Sequence, residues 1–567
     1  MVASRSVKSG PDRHTFAIIR MFKDGKLGPQ GSAWELTSYH EDTMALTRRT
    51  HLKASAALAA SAVLAPVTRF AAAATERPTL NVGVQANPDT LEPGREYSNA
   101  SWRVHANMYD TLIGMDVRNS FKLVPGLATA WRRVDDKTIE LTLREGVKFH
   151  NGDVLTAEDV AFTFGPERMS SEKAPTYALT RPTLGRIEKV EAIGPMSVRV
   201  TARGPDPLLE RRVAHFPAQI INKRAYLEAK DFDSWSRSPV GTGPFRIEDW
   251  RIHDYILLEA FDEYWGGKPT VRALKFRVIP DTSSRVAGLK AGEFGIVTDI
   301  PPDQFSNVAS YPGLEVAGGP IVNHRVLVFD TTNPILKDVR IRHALSFAID
   351  REAIVKALWD GRVGIPRSHQ WPAFGDLYFP DWPKPAYDPE KARALVKEAG
   401  YQRQQIEYRT WNDYYTNEIA TAQVLVEMWK AVGLNVNLSV KETTPQVYAP
   451  EGRGIRNWSN SMVYPDPLGA LWRLYGAGSV VQTGTKEWTN QEFNELGHVL
   501  ETSLDTPERQ RAWRRMLDIY DNDDPCGTVL HEFGIFYGKR KDIGWTPLPV
   551  EWMDFRPGSL MMQATSS

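Results

Sequence analysis

Apolar and polar side chains alternate over Thr79–Val84, and a period of two predicts a half-buried strand. The same alternation recurs at Thr138–Arg144, Ala273–Ile279 and Asn435–Val440. Ile187 to Ala202 and Phe216 to Ile221 also read as strands, and Ser234 to Ser238 as a loop. Between them lies the most densely punctuated stretch, Val240–Ile300. Gly241-Thr242-Gly243-Pro244-Phe245 forms a tight turn whose glycines supply backbone angles closed to other residues. Strands follow at Phe245–Trp250 and Tyr255–Glu259, and Gly266-Gly267 reverses the chain into Ala273–Ile279, completing a β-meander.

Elsewhere the apolar positions fall at helical spacing between recognisable stops. A helix is expected over Ser98–Tyr109. Thr156 and Asp159 form a capping pair for Ala157–Phe162, and Asp281-Thr282 opens a helix through Ser284 to Lys290 that Gly292 stops. Asp338 precedes Val339–Ala348, with Ile341, Ala344, Leu345 and Ala348 on one face. Asp350 caps Arg351–Trp359, and Pro389 and Gly400 bracket another short helix. Ile406–Thr410, the helix Asn417–Val432 and Asn435–Val440 make a βαβ unit. Trp411 and Asn412 stand at the carboxyl end of its first strand, where open α/β sheets place ligands, so Trp411 is a pocket candidate. A last long helix runs from Thr506 to about Tyr520. Val326–Thr331 and Gly527–Phe536 are extended runs at the changes of pattern, expected as crossings between lobes.

Three of these blocks resemble bacterial solute-binding proteins of family five, which serve peptide, nickel and opine importers. The first is the Gly241–Phe245 turn, then Tyr264-Trp265-Gly266-Gly267-Lys268-Pro269, then Leu289-Lys290-Ala291-Gly292-Glu293. The second runs from Leu123 through Val147-Lys148-Phe149-His150-Asn151-Gly152 to Asp159-Val160. The third joins Val339-Arg340-Ile341-Arg342-His343-Ala344-Leu345 and Ala348-Ile349-Asp350-Arg351 to Asp388–Gly400. The resemblance implies an α/β, type-two periplasmic-binding fold: two lobes, an extra subdomain and two crossing hinge segments, with ligand held between lobes that close on it. It divides the chain into lobe I at 75–325 with a subdomain roughly at 100–215, lobe II at 326–525, and a return to lobe I at 526–567. It implies a periplasmic component of an ABC importer, binding a peptide-like or other small organic solute for an inner-membrane permease.

The resemblance also nominates the site. Tyr97, Asn99 and Trp102 fall near the mouth of the cleft, with Trp371, Trp411 and Trp458 as aromatic walls and Asp466 as its fixed charge. Peptide binders of the family resemble Trp-x-x-Asp-Tyr-x-(Asp/Glu)-Pro, whose first acid meets the peptide's free amino group. Here Val463-Tyr464-Pro465-Asp466-Pro467 matches the tail, Val463 occupies the acid's place, and Trp458 stands two positions too far out. Valine cannot accept a charge-assisted hydrogen bond. Either the ligand lacks a free α-amine or another acid supplies the contact.

Composition narrows the alternatives. Lysine plus arginine and aspartate plus glutamate are equal at 69 each, so no basic field points to nucleic acid. The 567 residues suggest ~3–4 structural units. The 12 histidines are scattered without metal-binding spacing, which leaves a nickel or metal-chelate ligand held by arginine and aromatic contacts as an alternative. A secreted hydrolase is the rival class, but no Gly-x-Ser-x-Gly elbow or Walker loop occurs. The expectation is a binding protein, not an enzyme, monomeric and without a cofactor. Carboxylate pairs at Asp135/Asp136 and Glu158/Asp159 read as turn and helix-start residues, since adjacent side chains do not face one another.

Residues 44–74 read as an export signal. Thr47-Arg48-Arg49-Thr50-His51-Leu52-Lys53 fits the twin-arginine pattern with His51 in place of Phe, an Ala-rich run follows, and the mature start is expected near Thr75. Residues 1–43 are polar and aperiodic and read as an over-called, disordered extension ahead of Met44. The sole cysteine, Cys526, lies far from the signal, so no lipid anchor and no disulfide are expected.

Overall fold

The β-meander extends into a ten-stranded mixed sheet that organises the chain. In the computed structural model, which describes residues 77–412 and 414–562, its strands run in the order Val436–Lys441, Ile406–Trp411, Arg453–Ser461, Leu314–Phe329, Gly527–Arg540, Ile296–Val297, Thr79–Val84, Ala273–Val278, Tyr255–Ala260 and Phe245–Arg251. The expected export signal and the segment before it lie outside the described residues. The two expected crossings are its central pair: Leu314–Phe329 and Gly527–Arg540 pair antiparallel along nearly their whole length. Each therefore belongs to both halves of the molecule, and any hinge motion must pass through this pair. Among the described residues no helix is long and apolar enough to cross a membrane.

Four apolar cores surround the sheet. One lies under the meander, a second behind the parallel pair Ile406–Trp411 and Val436–Lys441, and a third under a separate four-stranded antiparallel sheet built from Ala128–Asp135, Thr138–Leu143, Ser197–Ala202 and Ile187–Gly194. The fourth mixes the two sides: Trp102 and Phe216 from the N-terminal side pack with Trp371, Tyr464 and Trp472 from beyond the first crossing. The lobes thus meet on each other's aromatic side chains.

Local chemistry explains most element ends. The Thr156 hydroxyl accepts from Asp159 N while the Asp159 carboxylate accepts from Thr156 N at 3.0 Å, a reciprocal cap. Asp281 accepts from Ser284 N at 2.7 Å to open Thr282–Lys290. His150 is fixed in its turn, donating from Nε2 to Gly243 O and accepting from Gly241 N at Nδ1. Arg340 pairs with Asp338 on the surface, and buried Arg342 pairs with Asp524.

Three expectations need correction. Phe216–Ile221 is no strand: Phe216–Ala218 forms a single 3-10 turn, Pro217 having no N–H to give a ladder. Ser234–Ser238 is largely helical, within Phe232–Arg237, because Asp231 accepts from Ser234 N at 2.8 Å and caps it. The glycines of the Gly241–Phe245 turn do not take left-handed angles. They are required by close approach, since a Cβ on Gly241 would stand 2.3 Å from Met108 O and one on Gly243 2.4 Å from Met108 C. Gly243 N and Phe245 N donate to Met108 O and Asn107 O there, docking the turn on the chain just after helix Asn99–His105. Gly241→Ala should therefore lower stability by about 1–3 kcal/mol in urea unfolding, with backbone rather than a yielding side chain in the way; an unchanged midpoint would refute the close-approach reading.

Candidate functional site

The contact between the lobes is polar at its centre. Tyr97, just before helix Asn99–His105, stacks on His215 with ring centroids 6.0 Å apart, and His215 meets Tyr464 edge-on at 5.9 Å. Arg473, on the short helix Leu471–Tyr475, shares these surroundings. Its Nη2 makes two long bonds, 3.3 Å to Asn460 Oδ1 and 3.4 Å to Ser461 O, while its Nε is buried without a partner. Among the described residues, no carboxylate lies within ion-pair distance of it. Arg473 is half-buried, and the space beside it, bordered by Tyr97, Tyr464 and Glu551, is the chamber.

Across the chamber stands Glu551. The segment that carries it is pinned at both ends: Val322 N donates to Pro549 O at 3.0 Å, and Asn107 bonds Met553 O and Phe555 N. Glu551 Oε1 accepts from Asn323 Nδ2 at 2.9 Å and Ser461 Oγ at 2.7 Å, and no other residue's side chain bonds its second oxygen. Asn323 and Ser461 are cross-strand partners on the first crossing strand and its neighbour. Burial raises the Glu551 carboxyl above its ordinary range, opposed by the Ser461 and Asn323 bonds and by Arg473. Burial, then Arg473 and Arg212, holds His215 neutral well below the usual imidazole range. The site thus sets a half-buried cation, Arg473, near a buried anion, Glu551, each with bonding capacity left open. A charge left this way normally meets a ligand.

The sequence-nominated tryptophans divide between two packed cores, Trp411 in one, Trp102 and Trp371 in the other, with Trp458 against both. Tyr97 forms part of the chamber. Trp102 is buried against Phe216 and Trp371 stacks flat on His324 at 3.9 Å; the indole N–H of each is unpartnered. Asn99 heads its helix, and the Tyr414 hydroxyl faces its backbone from the opposite lobe. Trp411 and Trp458 pack together at 5.5 Å with Tyr448, and Arg456 lies 4.7 Å over the Trp458 ring. Asp466 has both oxygens engaged and its charge paired: Oδ1 accepts from Leu468 N at 3.0 Å and Oδ2 pairs with Arg509 at 2.7 Å. It fixes a turn, and Glu551 presents the open carboxylate instead.

Val463 likewise sits in apolar packing. Counting the family's Trp-x-x-Asp from Trp458 reaches Ser461, and it is Ser461 that touches Glu551. Arg473 and Glu551 were missed by sequence reasoning. Both are single charges inside apolar runs, Leu-Trp-Arg-Leu-Tyr and Pro-Val-Glu-Trp-Met, a pattern in which a buried charge is the signal. A further pocket of about 250 Å³, lined in part by Phe216, Trp552 and Tyr264, has its acid Asp110 already taken by Thr242, Tyr264 and Trp265.

This geometry has counterparts. The family described as "Bacterial extracellular solute-binding proteins, family 5 Middle" matches residues 122–481. A glutathione-binding protein of Salmonella paratyphi A is 28% identical over 521 residues, spanning 89% of this chain and 98% of the relative. Among solved structures, the periplasmic binding protein DppA of Helicobacter pylori, in complex with peptide STSA, superposes with TM-score 0.77 at 21% identity over 86% of this chain and 98% of that one. NikZ of Campylobacter jejuni, in complex with Ni(L-His), gives 0.74 at 18% identity over 85% and 99%. With the type-two periplasmic-binding fold and a family match over most of its length, the chain belongs to the bacterial extracellular solute-binding proteins of family 5.

Proposed function

We propose that this protein is the solute-capturing component of an ABC importer, working in the periplasm and delivering a small organic, peptide-like solute to an inner-membrane permease. The carrying observation is Arg473, a half-buried guanidinium whose Nε is buried without a partner and which, among the described residues, has no carboxylate in ion-pair distance. A guanidinium so placed suits a ligand carboxylate, which it can hold bidentately. Tyr97, Asn99, Trp102, Trp371, Trp411 and Trp458 supply the walls. Similarity to a glutathione-binding protein and to a peptide-bound structure supports a ligand of this class.

In this reading the protein moves between open and closed arrangements about the paired crossing strands. Ligand stabilises the closed one because it meets Arg473 on one side and Tyr97 and His215 on the other only when the lobes are together. Lobe I spans 75–325 and lobe II 326–525, with 526–567 returning. Export by the twin-arginine route, a mature start near Thr75, no lipid anchor and a monomeric state complete the proposal.

Native mass spectrometry of protein purified from periplasm should find one small solute bound. Stripping it by unfolding and refolding should raise the radius of gyration in small-angle scattering, and adding it back should lower it. A protein that carries no solute and keeps one radius throughout would sink the capture reading. Hydrolysis of the added solute would favour an enzyme.

A further inference from the structure

Resting on the capture reading, we infer that Glu551, carried in by the C-terminal segment, is the ammonium receptor of the chamber, and that the ligand bears its ammonium and carboxylate together on one α-amino-acid head group. Three observations carry this. First, neither Val463, in the family's acid place, nor Ser461, reached by counting from Trp458, can neutralise a cation. Second, that serine donates its hydroxyl to Glu551 Oε1 at 2.7 Å, so a carboxylate reaches the same place from another part of the chain. Third, Asn323 and Ser461 both bond Oε1, which leaves Oε2 without a side-chain donor. A buried carboxylate with an open oxygen is matched by a charged donor, not by water-like solvation it has already lost.

The spacing of the two charges restricts the head group. Arg473 Nη2 lies 3.4 Å from Ser461 O, and the hydroxyl of that same residue lies 2.7 Å from Glu551 Oε1. With only the width of one residue between these contacts, the guanidinium and carboxylate are at most about 10 Å apart. An α-amino-acid head places its two charges ~3 Å apart, and two hydrogen bonds of ~2.8 Å fit it into that gap. An extended dipeptide with charges at opposite ends adds about 7 Å between them and overshoots. The rest of the ligand then extends toward the tryptophans.

The probes are the twenty free amino acids, γ-glutamyl dipeptides (both charges on one carbon), α-linked dipeptides of neutral residues (charges at opposite ends), and the N-acetyl form of every compound that binds. Each is measured by calorimetry against wild type, Glu551→Gln and Arg473→Gln. The glutamine at 551 keeps an oxygen for Asn323 and Ser461, and N-acetylation tests the idea on unaltered protein. At least one head-group compound should bind wild type, and its N-acetyl form should bind at least about 30-fold more weakly. Glu551→Gln should weaken the free form by a similar factor while leaving the N-acetyl form unchanged, whereas Arg473→Gln should weaken both. Equal binding of free and acetylated forms would overturn the inference, as would binding by end-charged dipeptides alone. A co-purified solute without such a head, with no binding in the panel, would overturn it too and leave solute capture standing. If nothing binds and nothing co-purifies, capture itself falls.

Discussion

Glu487→Ala should cost about 3–5 kcal/mol of unfolding free energy, because it strips the shared anion from two buried arginines. Glu487 is fully buried and holds Arg456 with two parallel bonds of 2.7 Å, while Arg453 approaches it at 3.3 Å and also pairs with Asp330 at 2.9 Å. Burial pushes the Glu487 carboxyl up, but Arg456 and Arg453 outweigh it and hold it below the usual range. Arg456 has Nη1 already unpartnered and lies over Trp458 and Tyr448, so the carboxylate also sets where the aromatic wall stands. The double variant Glu487→Ala with Arg456→Met should recover part of the loss, since it leaves fewer buried charges uncompensated. Urea unfolding of the single and double variants measures both. A single variant within 1 kcal/mol of wild type would mean that water reaches the pair and Glu487 does not fasten the wall.

The scaffold was readable in the sequence because its signals are local. The alternation at Thr79–Val84, the reciprocal cap of Thr156 and Asp159 and the left-handed Gly400 each act within a few residues. The chamber was readable only in part. Tyr97 was nominated through the family resemblance alone. Asp466 had the right motif but its charge is consumed by Arg509, a residue 43 positions away that no local pattern connects to it. Glu551 reaches Ser461 across 90 positions of sequence, and it does so because Asn107 and Val322 clamp the C-terminal segment. The glycines at 241 and 243 illustrate the same divide: their need was visible, while its cause, the backbone of Met108, belongs to tertiary contact.

Those long-range contacts also bury imidazoles, and this makes stability depend on pH with a definite sign. His369 and His531 are held down to about 3, chiefly by burial, and His324 well below its ordinary range by burial and then by His369 and His531. His105 and His150 fall to about 4, and burial, then Arg473 and Arg212, holds His215 well below its ordinary range. A depressed imidazole is neutral when folded and binds a proton when unfolded below ~6.5, so its contribution is complete above that pH and is lost as pH falls toward the folded value. Four carboxyls act oppositely: half-buried Glu96 is raised to about 7 and Asp521 to about 6, with buried Glu418 and Glu551 raised as well, and each gains stability on acidification. The imidazoles lose stability on acidification and the carboxyls return part of it, so the net slope favours unfolding as pH falls below ~6.5. Urea midpoints should therefore drop steeply between pH 6.5 and 5. His324, Arg325 and His531 lie on the crossing strands themselves, and Arg325 further disfavours a charged His531, so the loss concentrates at the hinge. Adding the bound solute should shift the acid midpoint downward by holding the lobes together. A stability flat from pH 7 to 5 would mean that these imidazoles are hydrated and that the crossing pair is looser than its packing implies.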